Sequence, residues 1–226
     1  MEWQNRIAAL VPAYNERRAI QPVLSATMKT LPVIVVDDGS SDGTAEVAEA
    51  AGATVVRHET NQGKGAALRT GFQWALDNGL EAVITIDADG QHDPQEIPKF
   101  LVLYRSEEPD LIIGKRNFSQ MPFPRWLSNP FGSWLLSQVV GEKIYDNQSG
   151  YRLYSRSLLE VLDFDTAGFE FEVEVIGAAL VHDMQIAWVD IRTIYGTATQ
   201  SYFHPIKDSY HFLKTVWRAR KWRRSG

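Results

Sequence analysis

Five short runs of apolar, β-branched residues recur along the first half of the chain, and each ends in a polar or glycine-rich loop. The runs are RIAALVP (6–12), PVIVVD (32–37), ATVVRH (53–58), AVITID (82–87) and DLIIGK (110–115). Helical patterns separate them, at about 16–29, 43–51, 64–78 and 94–106. Strands that alternate with helices build βαβ units and a mostly parallel sheet. Runs that are apolar throughout, rather than at every second residue, belong to strands covered on both faces. The expected class is therefore α/β, a Rossmann-like sheet flanked by helices. Past residue 116 the pattern loosens. A Pro/Trp/Phe-rich stretch, 121–141, is followed by expected helices near 155–162 and 170–183, a strand near 186–191 and a final helix near 205–223.

In open α/β sheets, ligands bind outside the carboxyl ends of the strands. VPAYNE follows the first run, DDGSSDGT the second, NQGKG the third, DADGQHDP the fourth and GKRN the fifth. Any one of these reads equally well as a plain turn, since Asp, Gly, Ser and Asn favour turns for local reasons. All five on the same edge mark a site.

DADGQHDP (87–94) is the densest in chemistry. Asp87 and Asp89 stand one residue apart where the chain leaves a strand, so both carboxylates can turn toward one point. Hard oxygen ligands suit Mg²⁺ or Mn²⁺, and Gln91 offers a further carbonyl oxygen. The calcium-binding EF-hand is excluded, because its sixth position is His92 rather than Gly and its twelfth is Pro98 rather than Glu. Asp93 before Pro94 reads as a helix cap with proline at the first helical position. In DDGSSDGT, Asp42 or Ser41 can cap a helix starting near Thr44, which leaves Asp38 to accept hydrogen bonds from a nucleobase. NQGKGAALRTG lacks the Walker spacing and no G-x-G-x-x-G follows the first run, so neither a P-loop nor a dinucleotide site is expected. Lys64 and Arg69 can still face a nucleotide.

At 226 residues and 44% hydrophobic content, the chain suits one domain with a sizeable core, assigned to 1–210, and a tail at 211–226. Cysteine is absent, which excludes disulfides and thiolate metal sites. MEWQNRIAALVPAYNE does not read as a signal peptide, and no apolar run approaches the ~20 residues that span a bilayer. The net charge of −5 is uneven. Residues 212–226 carry six Lys/Arg and no acid, so the body holds 17 Lys/Arg against 28 Asp/Glu, a net −11. An acidic body argues against a nucleic-acid surface.

VPAYNE, DDGSSDGT, NQGKGAALRTG, DADGQHDP, GKRN and DNQSGYR together resemble, in order and approximate spacing, the family 2 glycosyltransferases, which are GT-A enzymes. The chain most resembles their polyprenyl-phosphate group, typified by dolichol-phosphate mannose synthase, from residue 6 to about 196. The resemblance implies that Pro12, Ala13, Tyr14 and Glu16 wall the base and ribose, with Asp38 at the nucleobase. Asp87-Ala88-Asp89 matches the D-x-D motif, whose carboxylates hold a divalent cation on the pyrophosphate, and Gln91 matches a third ligand. Arg116 matches an arginine that binds phosphate, although Lys115 replaces the usual serine before it. Arg125, Gln148, Ser149 and Arg152 fall in the acceptor-side region. Asp89, Arg116 and Arg125 are thus the catalytic candidates, and Lys64 remains a nucleotide contact.

The resemblance implies an inverting, metal-dependent transfer of one hexose from a GDP- or UDP-sugar. A polyprenyl phosphate acceptor is already anionic and needs no strong base. A hydroxyl acceptor would need one, with Asp146 and Glu172 as candidates. The Q-x-x-R-W motif of processive synthases is not reproduced, since QMPFPRW has the wrong spacing. A non-catalytic nucleotide-sugar binding module is the alternative of another class. Trp126, Phe131, Trp134, Leu135 and Leu136 give the 124–140 stretch an apolar face suited to a membrane interface or to a core. The basic tail, with Trp217 and Trp222, suits an anionic membrane surface. The expected location is the cytoplasm, peripheral on the inner face of the membrane. Residues 193–208 read as a flap over substrate, with Ser201, His204 and Lys207 near phosphates.

Overall fold

The computed structural model describes residues 6–120, 125–162, 171–194 and Ala219, without the side chains of 120 and 125–128. Seven segments form one sheet in the order β3-β2-β1-β4-β6-β5-β7. They are β1 Ile7–Ala13, β2 Val33–Asp37, β3 Thr54–Arg57, β4 Ala82–Thr85, β5 Leu111–Arg116, β6 Arg152–Ser155 and β7 Ile186–Ile191. All pair in parallel except β6, which runs antiparallel to both β4 and β5. The helices are α1 Ile20–Thr27, α2 Thr44–Ala50, α3 Lys64–Asp77, α4 Ile97–Glu107, α5 Arg125–Val140, α6 Arg156–Val161 and α7 Phe171–Val181.

Both faces of the inner strands are covered, and their sequences show it, whereas the edge strand β3 is exposed or only partly buried along its length. Ile7, Ala9, Val11 and Ala13 of β1 enter one core cluster, while Ala8 and Leu10 enter the other. Burying both faces removes the in–out alternation of a half-exposed strand. On α1, Ile20, Val23, Leu24 and Thr27 are buried, the spacing of one helical face. On α3, Gly71 sits so close to β1 that a Cβ there would come within 2.3 Å of Leu10 Cδ1.

Three differences from the sequence reading have physical causes. The first helix starts at Ile20 rather than near 16, because residues 15–17 are clamped to the β2–α2 loop. Asn15 there adopts a φ of 55°, its N–H donates to Ser40 Oγ at 2.8 Å, and its side chain accepts from the Ser41 N–H at 3.0 Å. The expected helix at 94–106 is a 3₁₀ turn, Pro94–Glu96, followed by α4, and Asp93 accepts from the Gln95 N–H as its cap. Strand β6 was not anticipated. RLYS is four residues long and begins with an arginine, so no apolar run announces it. The expected helix near 205–223 and the flap from 195 onward lie outside the described residues, apart from Ala219. That alanine is fully buried in the larger core cluster.

Candidate active site

The carboxyl ends of β1, β2 and β4 lie side by side. Antiparallel β6 brings the loop that precedes it, 146–150, to this same edge, where Thr85 pairs with Arg152. The Thr85 hydroxyl donates to the Gly150 carbonyl at 2.7 Å and locks the two together.

Between the two acids of the D-x-D, Ala88 is buried in the core at 3% exposure. It anchors the turn while Asp87 and Asp89 stay partly exposed on either side of it. Asp87 Oδ1 pairs with Lys64 Nζ at 2.8 Å, and the same ammonium lies 3.2 Å from Glu172 Oε1. Burial pushes the Asp87 carboxyl up, but Lys64 outweighs it and brings the value down to about 2. Asp89 has no such partner among the described residues, and burial and the Asp87 charge raise it. Glu16 is raised by burial and then by Asp89, Asp42 and Asp87.

His92 closes the turn from behind. Its Nδ1 accepts the Asp87 N–H at 3.0 Å, so the ring is neutral there, and burial lowers its pKa to about 4. Its ring stacks on Tyr151 at 4.9 Å. Gln91 is positioned by its backbone, the N–H donating to Asp89 at 2.9 Å and the carbonyl accepting from Ile194 at 2.9 Å.

The donor set fits a hard divalent cation. The Asp87 charge raises both Asp89 and Glu16, one ammonium stands beside Asp87, and all three side chains offer oxygen. Among the described residues, no group of three or more His, Cys, Asp or Glu is spaced to hold a metal ion. A cation here would complete its shell on a bound diphosphate.

The two acids of DDGSSDGT have opposite dispositions. Asp38 is 3% exposed and fully engaged. Its Oδ1 accepts from the Gln62 N–H at 2.9 Å and His58 Nδ1 at 2.7 Å, and its Oδ2 accepts from the Gly63 N–H at 2.8 Å. Thr70 Oγ1 completes the chain, 2.9 Å from His58 Nε2. Asp38 thus holds the loop that delivers Lys64. Asp37 is 4% exposed, its Oδ2 accepts from the Ser40 N–H at 3.3 Å, and its Oδ1 has no hydrogen-bond partner among the described residues. A buried acceptor left unpaired is costly, and at the end of β2 it is Asp37, not Asp38, that carries one among the described residues. Beside it, Pro12 and Ala13 end β1, the Ala13 carbonyl accepts from Asp38 N at 2.8 Å, and Tyr14 is 39% exposed. Gly39, at a φ of +74°, packs so tightly on the next loop that a Cβ would lie 2.6 Å from the Thr60 carbonyl carbon.

On the other side of the cleft, Arg116 forms a fork with Asp146, Nε to Oδ2 at 2.7 Å and Nη2 to Oδ1 at 2.9 Å. Asp146 is fully buried and also accepts the N–H groups of Gln148 and Ser149, both at 3.1 Å. Arg152 is fully buried too, and donates to the carbonyls of Ser149 at 2.7 Å, Glu172 at 2.6 Å and Asn147 at 3.1 Å. It ties the 146–150 loop to α7. Gln148 is exposed, while Ser149 is buried and its Oγ has no hydrogen-bond partner among the described residues. Arg125 opens α5, and its side chain lies outside the described residues.

A cavity of about 590 Å³ adjoins this loop, lined by Phe118, Trp134, Ser137, Lys143, Ile144 and Tyr145 among others. Phe131 and Trp134 of α5 are 59% and 56% exposed. The ammonium groups of Lys115 and Lys143 lie 4.9 and 4.6 Å from the centre of the Tyr145 ring.

A mostly parallel sheet with an acidic pair beyond its fourth strand, and one antiparallel strand carrying the opposing loop, is the architecture of a GT-A glycosyltransferase. The sequence matches "Glycosyl transferase family 2" over residues 8–163, and the chain belongs to that family. It is 32% identical over 186 residues to the undecaprenyl-phosphate mannosyltransferase of Micrococcus luteus, covering 75% of this chain and 76% of that one. It is 30% identical over 203 residues to the polyprenol monophosphomannose synthase of Mycolicibacterium smegmatis, covering 82% and 76%. The fold resembles that of glucosyl-3-phosphoglycerate synthase from Mycobacterium tuberculosis, solved with Mn²⁺, UDP-glucose and phosphoglyceric acid. The TM-score is 0.76 at 23% identity, over 97% of this chain and 81% of that one. The resemblance to the polyprenyl-phosphate group read from the motifs therefore holds, and the chain is a hexosyltransferase by its kinship.

Proposed function

We propose that this protein transfers one hexose, with inversion, from a nucleotide sugar to a polyprenyl phosphate, with Mg²⁺ or Mn²⁺ as cofactor. The observation that carries this reading is the absence of a disengaged base among the acids weighed for that role. Asp146 is locked by Arg116 and two backbone amides, and Glu172 is paired with Lys64. A carboxylate bound in a fork to a guanidinium is a poor proton acceptor. A sugar hydroxyl would need that base, whereas a phosphate monoester is anionic near neutral pH and attacks without one. The two mannosyl-transferring relatives, named for undecaprenyl phosphate and polyprenol, favour the same acceptor class and make mannose the first sugar to test.

In this reading Asp87 and Asp89, with Gln91 beside them, would hold the cation, which when bound would supply positive charge to offset that of the departing nucleoside diphosphate. Arg116, steadied by Asp146, faces phosphate oxygens. Asp37 accepts from the base N–H, and Pro12, Ala13, Tyr14 and Glu16 wall the nucleoside. Asp38 and Arg152 serve the scaffold. An Asp37→Asn variant is expected to bind UDP or GDP about tenfold more weakly, the scale of a lost hydrogen bond to a charged group. Titration calorimetry checks this, and unchanged affinity would remove Asp37 from the base site.

No helix among the described residues is long and apolar enough to cross a membrane. The exposed Phe131/Trp134 pair on α5, its rings 5.9 Å apart, is the proposed contact with the inner membrane surface, and the basic residues of 211–226 add attraction to anionic lipid. The deciding experiment is transfer from GDP-mannose, UDP-glucose or UDP-N-acetylglucosamine, with Mn²⁺, to polyprenyl phosphate in anionic vesicles or to a short-chain soluble analogue. Product is expected only when a lipid phosphate is present. Phe131→Ser/Trp134→Ser is expected to slow the vesicle reaction several-fold and spare the soluble one. Donor turnover that requires a sugar hydroxyl instead would overturn the acceptor assignment.

A further inference from the structure

Lys64 has an odd position for a cation. It is the first residue of α3, where the helix dipole disfavours positive charge. Three separate elements nonetheless hold it in place. Asp38 fixes the Gly63 amide just before it at 2.8 Å. Asp87 and Glu172 grip the ammonium at 2.8 and 3.2 Å. Gly150 leaves the space it fills, since a Cβ there would lie 2.9 Å from Lys64 Nζ and 3.3 Å from Asp87 Oδ2. The ammonium therefore occupies one oxygen of the D-x-D itself.

We propose that Lys64 is a resident counter-cation that occupies Asp87 in the free protein and yields it only to a divalent metal arriving together with the donor's diphosphate. The proposal rests on Asp87 and Asp89 being the metal ligands. A bare Mn²⁺ approaching Asp87 meets a fixed positive charge at close range, and among the described residues no group of three or more His, Cys, Asp or Glu is placed to hold it. A metal–diphosphate complex brings its own oxygens and enough negative charge to be attracted by Lys64 rather than repelled. The ammonium keeps its second anchor on Glu172, so it swings off Asp87 without leaving the site. The arrangement keeps the acidic pair from drawing in metal ions when no donor is present, and it couples metal binding to nucleotide binding through charge.

The test is Mn²⁺ binding, read from loss of the free-ion paramagnetic resonance signal, on intact wild-type, Lys64→Met and Lys64→Gln proteins. A second titration measures UDP and GDP affinity with and without Mn²⁺. Without nucleotide, both Lys64 variants are expected to bind Mn²⁺ at least about tenfold more tightly than wild type, the scale of removing one like charge at contact range. Adding Asp89→Asn to either variant abolishes the gain. Because coupling is reciprocal, the strengthening of nucleotide binding by Mn²⁺ shrinks in the variants by about the same factor. A misfolded variant cannot imitate tighter binding, and the glutamine variant keeps a donor toward Asp87 in case the methionine loosens the fold. If both folded variants bind Mn²⁺ no better than wild type while Mn²⁺ still strengthens nucleotide binding, the counter-cation role is wrong and the metal site stands. If Mn²⁺ leaves nucleotide affinity unchanged in wild type, the metal assignment falls and this inference falls with it.

Discussion

Replacing Asp89 with alanine is expected to lower sugar transfer by about a hundred- to a thousandfold, the range seen when one preorganised charge-stabilising group is lost from a transfer site. The carboxyl is raised by burial and by Asp87, so in the free protein it sits in a field that a cation would relieve. The structural cost of removing it is small. Its carboxylate accepts the Gln91 N–H within its own turn at 2.9 Å, and the turn is independently held by buried Ala88 and by His92. The variant should therefore keep its thermal midpoint within a few degrees while kcat collapses. Steady-state kinetics with Mn²⁺, alongside a melting curve, separates the two. Turnover within a few-fold of wild type would remove Asp89 from the chemistry, and a large drop in melting temperature would make it a folding residue.

Arg152 presents the reverse case. Arg152→Leu is expected to destabilise the fold by at least roughly 3 kcal/mol, because three buried carbonyls each lose a charged donor, at about 1–3 kcal/mol apiece. The carbonyls belong to Asn147, Ser149 and Glu172, so the loss detaches the acceptor-side loop from α7. Leucine matches much of the buried stem, which limits any cavity contribution. Urea denaturation measures the stability change. A variant that stays as stable as wild type but shows a raised KM for the lipid phosphate would instead make Arg152 an acceptor ligand.

The fold's first half was legible because β1, β2 and β4 are continuous apolar runs and α1 shows a single buried face. The second half was not, for a reason visible in β6. A four-residue strand held in mid-sheet needs little apolar length of its own when its neighbours supply the burial, and Arg152 is satisfied by backbone rather than by a partner charge. Among site residues, Asp87, Asp89, Lys64 and Arg116 were chosen from their loops, and the structure brings Lys64 onto Asp87 and Arg116 onto Asp146. Sequence could not divide the labour of the Asp37-Asp38 doublet. That division depends on where the backbone amides of Gln62 and Gly63 fall, far along the chain, and they fall on Asp38. Likewise, Asp146 and Glu172 looked free as letters and are tied as side chains.

Strands β5 and β6 are adjacent and antiparallel, so everything from 117 to 151 leaves the sheet and returns to it at neighbouring points. That stretch is one oversized hairpin excursion carrying α5, the cavity and the acceptor-side loop, anchored at its base by the Arg116–Asp146 fork. The donor half is assembled from the other strand ends and owes it little covalent continuity. On the function proposed above, a change of acceptor is expected to need rewriting of this one contiguous cassette, apart from Gly150, which packs against Lys64 and Asp87. Transplanting this excursion between members of the family, cut at the two strand ends, is the exchange the topology allows.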